Sequence, residues 1–268
     1  MHLRASGVAP LYSGTDGLTD AQKARIEELT ARQELAKVDK KKELTDNMKA
    51  ELLDLLAKKK RFEDGEIDLP AGAITLLNKA AKKHVYGYKS SPFKGSRATN
   101  KGNDCESPAI SFLNITRLTS WRKLEEGDEF YSVGYGLVSG HPDVVEDLEV
   151  YDIKVPETKD SFPEFEEDGR NTDYEWQVRQ YLYNLRKITG KDYRRGAYVY
   201  VLMSTPEELM YEEEPDDLHY CDDLDDNLRY TICWVDLTDD HIAHMDRRLA
   251  AAEKYINNRI EKLTNKNK

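Results

Sequence analysis

The sequence predicts an α/β (α+β) chain in which a helical N-terminal region precedes a central mixed sheet flanked by helices. Three observations carry this expectation. Apolar residues recur at helical spacing through the first third of the chain, with no strand-like alternation. Three Val- and Tyr-rich runs then follow one another between residues 130 and 155, punctuated by Ser139-Gly140 and Glu146-Asp147. After them a long amphipathic helix leads directly into an apolar strand, the order of a crossover connection.

Taken in order, residues 19–37 read as a polar helix capped by Thr19 or Asp20, with Ile26 and Leu29 on one face. A second helix runs from Thr45 to about Phe62, where Met48, Leu52, Leu55 and Leu56 recur at helical spacing, and the two form a hairpin. Its Lys40–Lys42 and Lys58–Arg61 runs make it either a basic arm that touches nucleic acid or a solvated helix pair on the main domain. A third helix spans Pro70 to Tyr86, and Gly87–Gly102, rich in Ser, Gly, Lys and Asn, reads as a loop or lid. Asp104–Asn114 reads as a helix with Glu106 in its first turn. Phe130–Val138, Pro142–Val145 and Leu148–Val155 read as consecutive strands of a meander. Helix Asp173–Ile188 stops at Gly190, strand Gly196–Met203 follows, and strand Leu228–Val235 precedes a last helix over Thr238–Leu263. Two domains result, a basic helical arm over 1–90 and a second domain over 91–268.

Composition narrows the function. Of 268 residues, 34% are charged and 39% hydrophobic, and 16 Tyr, 6 Phe and 3 Trp supply a core. The longest uncharged run, Phe130 to Pro142 apart from interruptions by Ser and Gly, falls short of a membrane span, and the N-terminus lacks an apolar signal core. Three scattered cysteines do not make a disulfide framework, so a reducing, cytoplasmic setting is expected. A net charge of −11 argues at first against DNA. The charge is segregated, however: residues 1–101 carry 20 basic and 14 acidic side chains, and residues 102–268 carry 20 and 37.

The most informative stretch is Ser139-Gly-His-Pro-Asp-Val-Val-Glu-Asp-Leu-Glu-Val-Tyr-Asp-Ile-Lys-Val. Alternate residues of a strand share a face, so Asp152 and Lys154 point one way and Ile153 the other. An antiparallel hairpin would bring Asp143 beside Asp152. Two carboxylates on adjacent strands suit a hard cation such as Mg²⁺, and a Lys on the same face can orient or help deprotonate a water.

Pro-Asp, eight intervening residues, then Asp-x-Lys resembles the motif of the PD-(D/E)XK nuclease superfamily. Lys101-Gly-Asn-Asp-Cys-Glu-Ser-Pro-Ala-Ile is similar to the helix that supplies these enzymes' third acidic ligand, here Glu106. Tyr174-Glu-Trp-Gln-Val-Arg-Gln-Tyr-Leu resembles the Gln-x-x-x-Tyr motif of the RecB-like and lambda-exonuclease-like (YqaJ-like) branch, matching at Gln177 and Tyr181, and Ala197–Leu209 is similar to the strand and helix that close the core in phage-type members. The resemblance covers roughly residues 95–260. It implies a restriction-endonuclease-like core and a phage-type exonuclease that hydrolyses DNA with Mg²⁺ or Mn²⁺ in recombination, replication or repair, an endonuclease of the same fold being the nearest variant. A single-strand annealing protein is an implied partner and a homo-oligomer an implied state.

Carried over, Asp143 would bridge or bind the metal, Asp152 and Glu106 would complete the carboxylates, and the Ile153 carbonyl would add a backbone ligand. Lys154 would position the attacking water. Gln177 and Tyr181 would contact the DNA backbone or order the site. Val155-Pro156 departs from the small polar residue the family commonly shows after the Lys, which bears on the strand's end. Arg97, Lys101, Arg179, Arg186, Lys187, Arg194 and Arg195 are candidates for a basic rim. Residues 207–226, with 11 acidic side chains and no Lys or Arg, read as a solvated loop, or as a segment that excludes duplex or binds a basic partner.

Other classes fall away. Cys105, Cys221 and Cys233 are too few for the four-cysteine iron-sulfur subgroup, and His241 with His244 lacks the partners of a zinc site and suits a surface helix. No Gly-rich loop ends in Lys-Ser or Lys-Thr, and Gly134-Tyr-Gly is no dinucleotide fingerprint. The competing reading is a non-catalytic module, on a nuclease-like scaffold or an unrelated α/β domain, that binds protein through its basic hairpin and acidic loop; the bland reading of the motif has Asp143 and Asp152 as strand ends, Lys154 solvated, and Gln177 and Tyr181 merely packing a helix.

Overall fold

The computed structural model describes residues 2–88, 95–210 and 213–266. Along the chain lie β1 (Leu3–Arg4), α1 (Ala9–Tyr12), α2 (Asp20–Ala36), α3 (Asp46–Glu63), α4 (Ala71–Tyr86) and α5 (Arg97–Arg117). Strands β2 (Val133–Tyr135), β3 (Val138–Gly140), β4 (Val144–Glu146) and β5 (Glu149–Lys154) follow, then α6 (Thr172–Thr189), β6 (Arg195–Val201), α7 (Asp216–His219), β7 (Tyr230–Asp236) and α8 (Asp239–Thr264). Where the sequence suggested one boundary near residue 90, contacts group Met1–Ala9 with Tyr86–Ile242 and Pro10–Val85 with Ala243–Lys268.

In the second of these units the hairpin forms as its caps dictate. Thr19 accepts from the Gln22 N–H while the Gln22 side chain accepts from the Thr19 N–H, both at 3.1 Å, and Thr45 caps α3 by accepting from the Met48 N–H. Leu29, Leu44 and Leu52 are buried between them with Ile26 and Met48 alongside. His244, expected on a surface, instead points its ring at the Tyr12 carbonyl and at Asp16, whose carboxylate also takes Arg247 and the buried Arg248.

The other unit holds two sheets. Its larger sheet runs β4-β5-β6-β7, with β5 and β6 parallel and the outer pairs antiparallel, and α6 is the crossover between the parallel strands. Ala109, Ile110 and Leu113 of α5 cover one face of it, together with Trp121, Tyr151, Ile153 and Val199, all buried. α6 takes the other side, burying Val178, Tyr181, Leu182 and Leu185.

Three local expectations are corrected. The strand read over 130–138 is two strands, because the chain reverses at Gly136, whose φ is +58°, and pairs Tyr135 with Val138. The meander also breaks there, since β3 joins β1 and β2 in a separate sheet instead of β4. The lid read over 87–102 ends early: Ser96 caps α5 by accepting from the Thr99 N–H, and burial of Lys101, Cys105 and Ala109 at helical spacing outweighs the poor propensity of Asn100, Gly102 and Asn103. Glu106 therefore lies well inside the helix, not in its first turn. Residues 89–94 of that stretch lie outside the described residues.

Candidate active site

The β4–β5 hairpin is closed by Asp147 and Leu148, both at positive φ (47° and 67°), a two-residue turn whose backbone suits the twist of the strands. Its register pairs Val144 with Tyr151. One step further out the ladder ends, and the Asp143 carboxylate takes over by accepting from the Ile153 N–H at 2.6 Å. Asp143 thus stands beside Asp152, as the hairpin geometry predicts. Its own carbonyl accepts from the Leu124 N–H at 2.9 Å.

Strand alternation also holds. Tyr151 and Ile153 enter the core under α5, while Asp152 turns to α6, where Gln177 donates to its Oδ1 at 2.9 Å. The same Gln177 amide nitrogen donates to the Tyr181 hydroxyl at 2.9 Å. Lys154 Nζ lies 2.5 Å from Asp152 Oδ2 and 4.5 Å from the centre of the Tyr174 ring. Asp152, Lys154, Gln177 and Tyr181 are therefore linked by direct contact, and Asp143 joins them through the Ile153 N–H and through its charge. Glu106 reaches the group through its charge, and its Oε1 pairs with Lys123 Nζ at 2.9 Å.

The electrostatics follow from burial and like charge. Burial, then the charges of Asp152 and Glu106, push the Asp143 carboxyl well above the usual carboxylate range. Burial would lower the Lys154 ammonium, but Asp152 and Asp143 outweigh it and leave its pKa above the ordinary value. Burial and the Asp152 charge raise the Tyr181 phenol. Gln177 and Tyr181 are buried, and the Gln177 amide nitrogen donates to both Asp152 and the Tyr181 hydroxyl. Lys154 is not solvated, since its side chain is only 22% exposed.

Among the described residues no three His, Cys, Asp or Glu side chains stand together as a metal-holding group. The donor chemistry nonetheless fits a hard divalent ion. Asp152 Oδ2 is buried without a well-directed hydrogen bond despite its close ammonium, Asp143 is crowded by two other carboxylates, and all the available donors are oxygen.

No protein-family model matches this sequence, and no curated protein matches it. Solved structures do. One is a phage-related exonuclease from Haemophilus somnus 129PT, 22% identical with a TM-score of 0.62 over 76% of this chain and 89% of that one. A second is an alkaline exonuclease, LHK-Exo from Laribacter hongkongensis, 16% identical with a TM-score of 0.51 over 77% of this chain and 90% of that one. LHK-Exo in complex with dAMP gives 16% identity and a TM-score of 0.50 over 73% and 85%. The fold is that of these exonucleases. It is the fold the motif resemblance implied, with the helical N-terminal region present.

The expected basic rim contracts. Lys101 is fully buried and donates to the Glu157 carbonyl at 2.9 Å, and Arg97 is clamped between Glu157 and Glu214. Arg179, Arg186 and Arg194 are engaged by Glu175, Asp192 and Asp239, and Arg195 stacks 3.8 Å from the centre of the Trp234 ring. Within the acidic stretch, Glu214 pairs with Arg97, Asp222 with Arg229, and His219 is buried against Glu214 and Thr205, so the stretch is anchored at these points while most of its described carboxylates stay exposed to solvent, as the sequence suggested. Its Tyr211 and Glu212 lie outside the described residues.

Three contributors escaped the sequence reading. Lys123 sits in an aperiodic loop that offered no signal. Tyr174 lies one helical turn before Gln177, a spacing that could have placed it over the site. Asn184, one turn beyond Gln180 and bonded to it, donates to the Val133 and Val138 carbonyls and ties α6 to the β2–β3 turn.

Proposed function

We propose that this chain is a divalent-metal-dependent deoxyribonuclease, an exonuclease that hydrolyses phosphodiester bonds in phage DNA recombination, replication or repair. The observation that carries the reading is Asp152, buried between Gln177 and Lys154 with Asp143 beside it, within the fold of two exonucleases. That one neighbour was solved with dAMP, a deoxynucleoside monophosphate, is in keeping with a DNA substrate.

Asp143, Asp152, Glu106 and the Ile153 carbonyl would hold Mg²⁺ or Mn²⁺. Held there, such an ion would supply Lewis-acid polarisation of the scissile phosphate and neutralise part of its charge. Lys154 keeps its proton because of the adjacent carboxylates, so it can orient a water and offer a hydrogen bond to the phosphate oxygens. Gln177 fixes the Asp152 carboxylate, and Tyr181 fixes Gln177. The Tyr174 ring limits where the ammonium can go.

The test uses linear duplex with labelled ends, incubated with Mg²⁺ or with EDTA. Wild type should release label only with metal, and Asp152→Ala or Lys154→Ala should lower the rate at least about a hundredfold. Metal-independent release, or undiminished release by both variants, overturns the reading. Cleavage of closed circular DNA would shift it to an endonuclease.

A further inference from the structure

Lys123 belongs to none of the motifs, yet its position is built. Leu118 ends α5 in the left-handed conformation, and the chain turns back along the helix. Asn114 Oδ1 then accepts from the Trp121 N–H at 2.8 Å while Asn114 Nδ2 donates to the Trp121 carbonyl at 2.7 Å. The Trp121 ring lies on Tyr151 with centroids 4.0 Å apart. On the other side of Lys123, the Leu124 N–H donates to the Asp143 carbonyl. The backbone of residue 123 is thus strapped to α5 at one end and to the entry of β4 at the other. From there its ammonium meets Glu106 at 2.9 Å, with the lysine side chain 35% exposed and the glutamate 20%.

A charge count gives this pair a meaning. Glu106, Asp143 and Asp152 bring three carboxylates, and among the described residues Lys154 and Lys123 are the lysines paired with them. A divalent ion that takes Glu106 as a ligand competes with Lys123 for the same oxygens. With the ion bound, the cluster changes from one charge short to one in excess, and a long flexible stem on an anchored backbone lets the displaced ammonium turn to the solvent side. An anionic phosphate is what a freed, half-exposed lysine next to such a site attracts.

We propose that Lys123 is the resident counter-ion of Glu106, that a divalent ion displaces it, and that the freed ammonium then binds a phosphate of the DNA substrate, so that metal binding precedes tight DNA binding. This rests on the metal-dependent nuclease reading. The experiment compares wild type with Lys123→Met and Lys123→Gln. Calorimetric Mn²⁺ titration should show both variants binding the ion roughly three- to tenfold more tightly, because the competitor is gone. Duplex binding, followed by fluorescence anisotropy, should weaken roughly three- to tenfold in both variants when Ca²⁺ replaces Mg²⁺, and should match wild type in EDTA. Unchanged or weaker Mn²⁺ binding in both variants overturns the counter-ion role, and unchanged duplex binding with Ca²⁺ overturns the phosphate contact. Wild type that takes up no Mn²⁺ overturns the nuclease reading itself, and the proposal with it.

Discussion

Two nearly buried aspartates, one in each unit, are treated in opposite ways. Around Asp16 the chain places three basic side chains: His244 and Arg248 on Oδ1 and Arg247 on Oδ2, each at 2.7 or 2.8 Å. Burial alone would raise its pKa, but hydrogen bonds from His244 and Arg247 hold the carboxyl below the ordinary range. Arg248 further donates to the carbonyls of Asp68, Ser13 and Thr15, so the arrangement joins α8 to the loop before α2 and the loop before α4. Asp143 has the reverse surroundings. The cation that acts on it is Lys154, which its partner Asp152 holds, and two carboxylates press on it. Full satisfaction suits a structural ion cluster, whereas a crowded, under-compensated carboxyl is what the proposed cation site would require.

The comparison can be broken or sharpened by substitution. The largest stability effect is expected at the satisfied site: Asp16→Asn strands the buried Arg248 and should cost about 3–5 kcal/mol in urea unfolding. Asp143→Asn should bring no such loss, and an equal loss at both positions would erase the distinction. Next comes Gln177→Leu, which frees the Asp152 carboxylate and should lower the metal-dependent nuclease rate about 10- to 100-fold with a small change in melting temperature. Gly140→Ala is expected to act through packing. A Cβ there would lie 2.5 Å from Tyr181 Cε1 and 2.7 Å from Ala5 Cβ, so the variant should lose about 1–3 kcal/mol and disturb the Tyr181–Gln177 pair. A rate near wild type in folded Gly140→Ala would show that Tyr181 is dispensable for holding Gln177.

The smallest effect is a pH slope. The Asp143 carboxyl is raised in the folded protein, so the fold binds its proton more tightly than the unfolded chain does. Its contribution is fully present below the unfolded value of about 4 and is lost as pH rises through the higher folded value. In EDTA, Asp143→Asn should therefore melt at a higher temperature than wild type at neutral pH, the gap closing toward pH 4. A gap that widens on acidification would show that Asp143 is stabilised as the anion.

Much of the fold was legible because its signals are local. Thr19, Thr45 and Gly190 mark helix ends by their own cap chemistry, and the alternation through Asp152-Ile153-Lys154 sets faces without reference to any distant residue. The carboxylate pair and its lysine were legible for the same reason, with a two-residue turn between their strands. The start of α5 was not, because the burial of Lys101 and Cys105 outweighs a polar, Gly- and Asn-rich stretch that alone favours a loop. Nor was the divided 130–138 strand, whose halves pair around Gly136 and with Leu3-Arg4, far away in the chain.

By itself, then, the sequence determined the helix caps, the strand alternation and the placing of Asp143 and Asp152 on neighbouring strands, because each depends on neighbours a few positions apart. Only the tertiary structure decided which charges are spent. Lys101, Arg97 and His244 look free in the sequence and are committed to Glu157, Glu214 and Asp16, whereas Lys123 looks incidental and lies on Glu106. Pairing of charges depends on distance through space, and chain order does not encode it.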